Sequence, residues 1–340
     1  MSSHSSNKKR ILTGDRPTGP LHLGHYVGSL QNRVRLQHSY ETFIIVADVQ
    51  TLSTNFDHQE HLPGDVRQVA LDNLSVGLDP EKAKMFVQSM VPQIAELTVI
   101  FSMFITVNRL RHNPTIKSEA SQHGFQENMT YGFLGYPVSQ AADILFCRAD
   151  LVPVGEDQLP VVEVSRFTAR RFNELYAEVF PQPESLSGET ARLVGLDGKS
   201  KMSKSLDNCI YLSDSDKDIR QKIMSAVTDP ARIHKDDPGH PEICTIFAYQ
   251  KAFNGEEAAD IEERCRRGTI GCVACKKRMF QVIRELLEPI RQRRAEFEKP
   301  GRVEEILMRG TRAARAEGEK TMELVRSAMH TDYFSIGSET

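Results

Sequence analysis

The run Lys201-Met202-Ser203-Lys204-Ser205 sets two ammonium groups and two hydroxyls on one short segment. Far upstream, Pro17-Thr18-Gly19-Pro20-Leu21-His22-Leu23-Gly24-His25 sets two imidazoles at i, i+3 around a glycine. Donors of these kinds suit a reaction in which negative charge builds up on a departing pyrophosphate. Such chemistry needs hydrogen-bond donors and cations aimed at phosphates, on elements able to close around them. A strand handing over to a helix at His22 would aim its imidazoles outward, and Gly24 would let a flat adenine approach the backbone. Either run alone is open to plainer readings. Two histidines at this spacing can be a metal pair or satisfied polar residues, and a lysine–serine run is often a solvated turn. Their order, their separation and the Pro-Thr-Gly lead-in favour one shared task, the movement of an adenylyl group.

The elements that must position these residues can be read from periodicity. Arg10 to Thr13 is a short strand leading into the glycine turn. Thr42 to Ala47 is apolar and β-branched without alternation, as a strand buried on both faces requires, and Asp48 follows at its carboxyl end, where open α/β sheets place ligands. Met85 to Gln88 and Leu151 to Val154 read as further strands. The stretch from Pro92 to Gln140 is mostly helical with a polar interruption at Arg111 to Gln126, an insertion between two halves of a nucleotide-binding fold. Pro137 suits a first-turn position, predicting a helix over Val138 to Cys147, and Gln158 to Tyr176 is helical again. Prolines, glycines and serines between Pro181 and Ser205 predict a loop able to move. From about Ser213 strand signals vanish and helical spacing dominates, broken at Asp229 to Pro241. The expected fold is α/β: a Rossmann-like parallel-sheet domain with a helical insertion over residues 1–212, then an all-helical domain over residues 213–340.

A chain of 340 residues can bury a sizeable core, and 26% charged with 39% hydrophobic residues is ordinary for a globular protein. A formal net charge of -3 excludes a globally basic nucleic-acid binder, though not a local basic face. No apolar run approaches membrane-spanning length, and the polar, serine-rich first ten residues contain no signal-peptide core. No membrane partner and a cytoplasmic location are therefore expected.

The two motifs, together with Leu12-Thr13-Gly14-Asp15-Arg16-Pro17-Thr18-Gly19, Tyr136-Pro137, Gln140-Ala141-Ala142-Asp143-Ile144-Leu145 and Val152-Pro153-Val154-Gly155-Glu156-Asp157-Gln158, resemble the class I aminoacyl-tRNA synthetases. Within them the match is to the bacterial tryptophanyl family, over nearly the whole chain. Tyrosyl enzymes share the architecture but differ at the Val-Pro-Val-Gly-Glu-Asp-Gln run.

The resemblance implies ATP with Mg2+ and L-tryptophan as substrates, tRNA(Trp) as acceptor, and a homodimer joined through the insertion. It places His22, His25, Lys117, Lys201 and Lys204 at the phosphates, and Thr18, Gly19, Gly24, Gly155, Asp157, Met202 and Ser203 around ATP. It gives Asp143 to the indole N–H and Gln158 to the amino-acid end. Leu12, Ala47, Gln50, Tyr136, Gln140, Val152 and Val154 would line the pocket. Two positions depart from the usual pattern: Arg16 stands in place of a glutamine, and Gln140 in place of a methionine. Spacing gives Asp143 separate support, because Gln140 and Asp143 share a helix face and Asp143 sits among Ala141, Ala142, Ile144 and Leu145. A carboxylate in an apolar place needs a partner, which a ligand N–H or another protein group could supply. The rival readings are a tyrosyl enzyme, a small-molecule nucleotidylyltransferase with a related histidine motif, and a non-catalytic paralogue.

Four of the six cysteines crowd together as Cys244-x20-Cys265-x6-Cys272-x2-Cys275. In a chain expected inside the cell this argues against disulfides, and four thiolates can close around zinc or an iron–sulfur cluster. A minority of tryptophanyl enzymes resemble this pattern, which implies a [4Fe-4S] cluster, with structural zinc or four unliganded thiols as alternatives. Arg264, Arg266, Arg267, Lys276, Lys277 and Arg278 lie nearby as a candidate tRNA-facing cluster or a solvated helix face.

Overall fold

The computed structural model describes residues 8–333 except 58, 126, 156–157 and 187–192. Five strands, β1 (Arg10–Asp15), β2 (Glu41–Val46), β3 (Ala83–Val87), β4 (Leu151–Pro153) and β5 (Glu184–Leu186), form one sheet in the order β3-β2-β1-β4-β5. Every pairing is parallel. Ile11, Phe43, Ile44, Val46 and Phe86 are wholly buried, which explains the unbroken apolar runs: both faces are covered. Strand order reverses between β1 and β4, and the crevice at their carboxyl ends is where a sheet of this kind holds its ligand.

Between β1 and β2 run α1 (Leu23–His25), a π-helical turn (Tyr26–Leu30) and α2 (Gln31–Leu36). Helices α3 (Asp48–Leu52) and α4 (Leu62–Ser75) lead to β3. The insertion before β4 holds α5 (Pro92–Ser102), α6 (Val107–Arg111), α7 (Pro114–His123) and α8 (Tyr131–Leu145). Helix α9 (Leu159–Leu175) joins β4 to β5. Beyond Leu186 the named elements are helical: α10 (Asp216–Ser225), α11 (Thr245–Phe253), α12 (Gly255–Arg266), α13 (Cys272–Phe297) and α14 (Arg302–Ala328), with short 3-10 turns between.

The strands expected from sequence are present with ends moved by a residue or two. Three local expectations are corrected. Helix α8 starts at Tyr131, not Pro137, because the Thr130 hydroxyl caps the Phe133 N–H at 3.1 Å. Pro137 is tolerated inside it at the loss of one ladder donor. The polar stretch 111–126 contains α7, started by Asn113, whose Oδ1 accepts the Thr115 N–H at 2.9 Å, with Pro114 at the first helical position. Strand β5 lies within the segment expected to be all loop. It is three residues long, too short for periodicity to show, and is held by its pairing with β4.

Helix α14 returns to the sheet. A Cβ on Gly310 would fall 1.8 Å from the Met85 carbonyl oxygen, so only glycine permits this approach. One residue on, the Thr311 hydroxyl accepts the Val87 N–H at 3.3 Å. Glu317 of α14 accepts from Arg10 at 2.6 Å, Arg148 at 3.2 Å and Lys320 at 3.3 Å.

Candidate functional site

His22 caps α1 through its side chain. Its Nδ1 accepts the Gly24 N–H at 3.1 Å, and the His25 Nδ1 accepts the His22 N–H at 3.2 Å. The two rings lie 3.9 Å apart between centroids. Burial, reinforced for each by the Lys201 and Lys204 charges, pushes the imidazoles down to about pKa 3 for His22 and about 4 for His25. Asp15 opposes this at His25. Both rings are therefore neutral near pH 7. With each Nδ1 accepting, the ring hydrogen is assigned to Nε2, so the pair presents two N–H donors. A Cβ on Gly24 would lie 2.8 Å from the His22 ring, so glycine here also makes room for the cap itself.

The lysine-serine segment reaches this turn. Lys204 Nζ donates to Thr18 Oγ1 at 2.9 Å and to the Gly19 carbonyl at 3.1 Å, joining two runs far apart in sequence. Met202 is buried, and the Gly24 N–H points at its sulfur at 3.3 Å. Ser203 Oγ and Ser205 Oγ are 2.9 Å apart. Lys201 is exposed and pairs by backbone with Val194. Asn208, not foreseen from sequence, organises the segment. Its Oδ1 accepts the Ser203 N–H at 2.7 Å, and its Nδ2 donates to Ser200 Oγ at 3.1 Å and to the Lys201 carbonyl at 3.4 Å.

At the crevice between β1 and β4 lies a cleft of about 470 Å³, lined among others by Thr13, Val27, Gly28, Arg33, Val154 and Gly155. Gly28, three residues beyond His25, was not among the expected site residues. Gly155 accepts the Gln158 N–H at 3.0 Å at the start of α9. Asp157 lies outside the described residues. Lys117 stands exposed on α7, and the hydrogen bonds that join the two motifs do not involve it.

On the other side of the sheet's carboxyl edge, Leu12, Ala47, Tyr136 and Val152 belong to one buried cluster, with Val154 packed on it. Gln50 Nε2 lies 3.4 Å from Gln140 Oε1. Asp143 is buried among these residues, and burial, reinforced by nearby Asp48, raises its carboxyl to about 7. Gln88 opposes that rise: its Nε2 donates to both Asp143 oxygens, while its Oε1 accepts the Gln50 N–H at 3.1 Å. Gln88 was not among the expected pocket residues. The signal was its place at the carboxyl end of a parallel strand.

The four cysteines gather at one corner, on α12, on α13 and at the start of α11. Arg232 Nη1 lies 3.9 Å from both Cys265 Sγ and Cys272 Sγ, and Gln250 Nε2 lies 3.6 Å from Cys275 Sγ. Burial raises the Cys244, Cys265 and Cys275 thiols, the last to about 11. The expectation of a closed metal site is not met in this arrangement. Among the described residues no three His, Cys, Asp or Glu side chains converge on a metal position, and a guanidinium stands beside two of the sulfurs. The basic cluster beside it is also paired: Arg264 with Asp260, Arg266 with Glu242 and Glu262, Arg267 with Glu263, Arg278 with Glu257. Lys276 donates to the Met224 and Ala226 carbonyls.

Comparison with known proteins bears on the whole chain. A family described as tRNA synthetases class I (W and Y) matches residues 4–288. A tryptophan–tRNA ligase of Treponema pallidum is 47% identical over 94% of this chain and 96% of its own length. One from Streptococcus pyogenes is 46% identical over 96% and 99%. A crystal structure of tryptophanyl-tRNA synthetase from Campylobacter jejuni, complexed with ADP and tryptophan, superposes with a TM-score of 0.85 at 31% identity, covering 94% of this chain and 99% of that one. On the match of the family over most of its length, and on relatives this similar across nearly all of theirs, the chain belongs to the tryptophan–tRNA ligases of the class I tRNA synthetases.

Proposed function

We propose that the protein activates L-tryptophan with Mg-ATP and transfers it to tRNA(Trp). A carboxylate oxygen of tryptophan attacks the α-phosphorus, the bond from that phosphorus to the bridging oxygen breaks, and pyrophosphate leaves. The terminal ribose hydroxyl of the tRNA then attacks the acyl carbonyl, and AMP departs with the bond electrons. The observation that carries this reading is the junction of the two motifs, with Lys204 on Thr18 and Gly19 beside two neutral imidazoles.

In this reading the Nε2–H groups of His22 and His25 donate to phosphate oxygens. Lys204 and Lys201 follow the charge onto pyrophosphate, with Thr18, Gly19, Met202 and Ser203 shaping the turn. Lys117 comes from the insertion as the site closes. The β1–β4 cleft takes the adenosine beside Gly24 and Gly155, with Asp157 at the ribose. Leu12, Ala47, Gln50, Tyr136, Gln140, Val152 and Val154 enclose the indole ring. Its N–H donates to Asp143, and Gln158 faces the amino-acid end. Donors preset for the developing charge lower the barrier without reorganising during the step. Pyrophosphate exchange measured with each amino acid separately tests the reading, and stimulation by tyrosine alone, or by none, would overturn it.

Three finer readings accompany it. Val99 of α5, Met103 just after its end and Val107 of α6 are 60%, 68% and 52% exposed, and this apolar face supports a homodimer through the insertion. In this reading residues 1–212, with the Lys201 to Ser205 loop, are the catalytic part and residues 213–340 the helical anticodon-binding part. The spacing of Cys244, Cys265, Cys272 and Cys275 in sequence is the ground for a [4Fe-4S] cluster, with zinc as the alternative. As arranged they do not fit one, since Arg232 would have to withdraw from Cys265 and Cys272, and no step of the reaction runs through such a group. No described helix is long and apolar enough to cross a membrane.

A further inference from the structure

Helix α13 runs from Cys272 to Phe297, about 39 Å at 1.5 Å per residue. Its first turn carries two of the gathered thiols, and its last turns reach the loop that carries His22. Asp72 of α4 is wholly buried, and its Oδ2 accepts the Leu21 N–H at 2.7 Å. Its other oxygen accepts Arg294 Nη1 at 2.5 Å and Gln68 Nε2 at 3.2 Å. Each nitrogen of the Arg294 guanidinium has a partner: besides Nη1, Nη2 donates to Gln68 Oε1 at 3.1 Å and Nε to Glu298 Oε1 at 2.9 Å.

A second grip comes from the same helix. Arg291 Nη1 donates to the Asp214 carbonyl at 3.2 Å, and the Asp214 carboxylate accepts the Tyr211 N–H at 2.9 Å. Tyr211 forms an antiparallel bridge with His22. The neighbouring Leu212 N–H donates to the Leu21 carbonyl at 3.0 Å, and the Leu23 N–H donates to the Ile210 carbonyl at 2.9 Å. Residues Leu21 to Leu23 are thus held from two sides, and both holds end on α13.

A buried ion pair contributes little net stability beside apolar side chains of the same volume. What Asp72 and Arg294 supply is a fixed acceptor for one backbone N–H, immediately before the histidine. We propose that Arg294 and Asp72 are positioning residues for adenylate formation, setting the place of the His22 imidazole through Leu21. The proposal rests on the reading that His22 meets the ATP phosphates. A misplacement of about 1 Å at such a group costs on the order of 10²-fold in rate.

The test uses the full-length protein with pyrophosphate exchange, resolved into kcat and KM for ATP. Tryptophan affinity is read from ligand fluorescence excited beyond the absorption of the tyrosines, since the chain contains no tryptophan of its own. Arg294→Gln should lower kcat by about 10²-fold while tryptophan affinity stays at the parent value. Arg294→Lys, which returns a cation to Asp72, should recover most of the loss. Should Arg294→Gln fail to fold, Asp72→Asn carries the same expectation, because an amide oxygen cannot serve both partners as the carboxylate does. Normal exchange kinetics in a folded Arg294→Gln protein would overturn the proposal. So would a parallel loss of tryptophan binding and exchange that lysine does not rescue, which marks a merely structural pair. His22→Ala separates the layers. If it leaves exchange intact, the phosphate reading of His22 falls and the positioning proposal with it. If it is impaired while Arg294→Gln is normal, only the positioning proposal falls.

Discussion

The side-chain nitrogen of Gln88 lies 2.8 Å from one oxygen of Asp143 and 3.0 Å from the other. A neutral donor facing both oxygens orients the carboxylate without cancelling its charge, leaving it able to accept from a ligand. The Asp143 proton is lost near pH 7, where burial and Asp48 hold it against the pull of Gln88.

Tryptophan affinity should therefore rise with pH through about 7, because an indole N–H needs the ionised acceptor, and binding should release a proton. In Asp143→Asn the amide oxygen would face Gln88 and turn its NH2 toward the indole, costing about 2–3 kcal/mol in apparent specificity. Ligand fluorescence titrated from pH 6 to 8 measures both effects. A flat profile in the parent protein, or full affinity in the variant, would rule this role out.

His22 and His25 have folded pKa values below the unfolded value of 6.5, at about 3 and 4. The unfolded chain then takes up protons that the folded chain refuses. The stability these residues contribute is present above pH 6.5 and is lost as pH falls, at about 1.4 kcal/mol per pH unit for each histidine. Melting temperature between pH 7 and 4.5 should fall less steeply in a His22→Gln, His25→Gln double variant, and identical slopes would contradict the assignment.

Lys204→Ala should slow adenylate formation on the order of 10²–10³-fold, the scale for removing a donor from developing charge. Tryptophan affinity should not change. Single-turnover activation at the parent rate, with weakened tRNA binding instead, would make this segment an RNA contact.

A cluster at the four thiols requires Arg232 to withdraw from Cys265 and Cys272, and on that reading protein purified without oxygen contains iron and acid-labile sulfide, both lost in Cys272→Ser. Zinc in their place would favour the alternative. Metal-free protein that charges tRNA normally would show four thiols in no need of a ligand, in keeping with the burial that raises the Cys244, Cys265 and Cys275 thiols.

Sedimentation should find a dimer, and Met103→Glu should split it by placing a charge in the exposed apolar face of α5 and α6. A monomeric species with full exchange activity would remove the dimer from the functional account.

The buried parallel strands were legible because Thr42 to Val46 has no polar alternation, and the site motifs because Lys204 and His22 are chemically conspicuous. What stayed hidden depends on distance in space. Gln88 and Asn208 are ordinary amides in sequence, and only the fold brings them to Asp143 and to the Ser203 backbone. Asp260, Glu262 and Glu263 stand only four residues before Arg264, Arg266 and Arg267 and could have been read as their partners. Arg278, by contrast, read as part of a cationic surface because its acid, Glu257, lies a helix away. Arg232 was invisible as a neighbour of Cys265 and Cys272 for the same reason.

Strand β3 is one of the two edge strands of the sheet, and what meets it there is α14, with Gly310 against Met85 and Thr311 on the Val87 N–H. During synthesis at about 5–20 residues per second, β3 leaves the ribosome roughly 10–40 s before that helix does. For that interval the nascent sheet presents an unprotected edge, the kind of surface on which strands of neighbouring chains pair. Vectorial synthesis thus gives Gly310 and Thr311 a protective duty, and substitutions there should lower the yield of soluble protein more than they lower the melting temperature of the molecules that do fold.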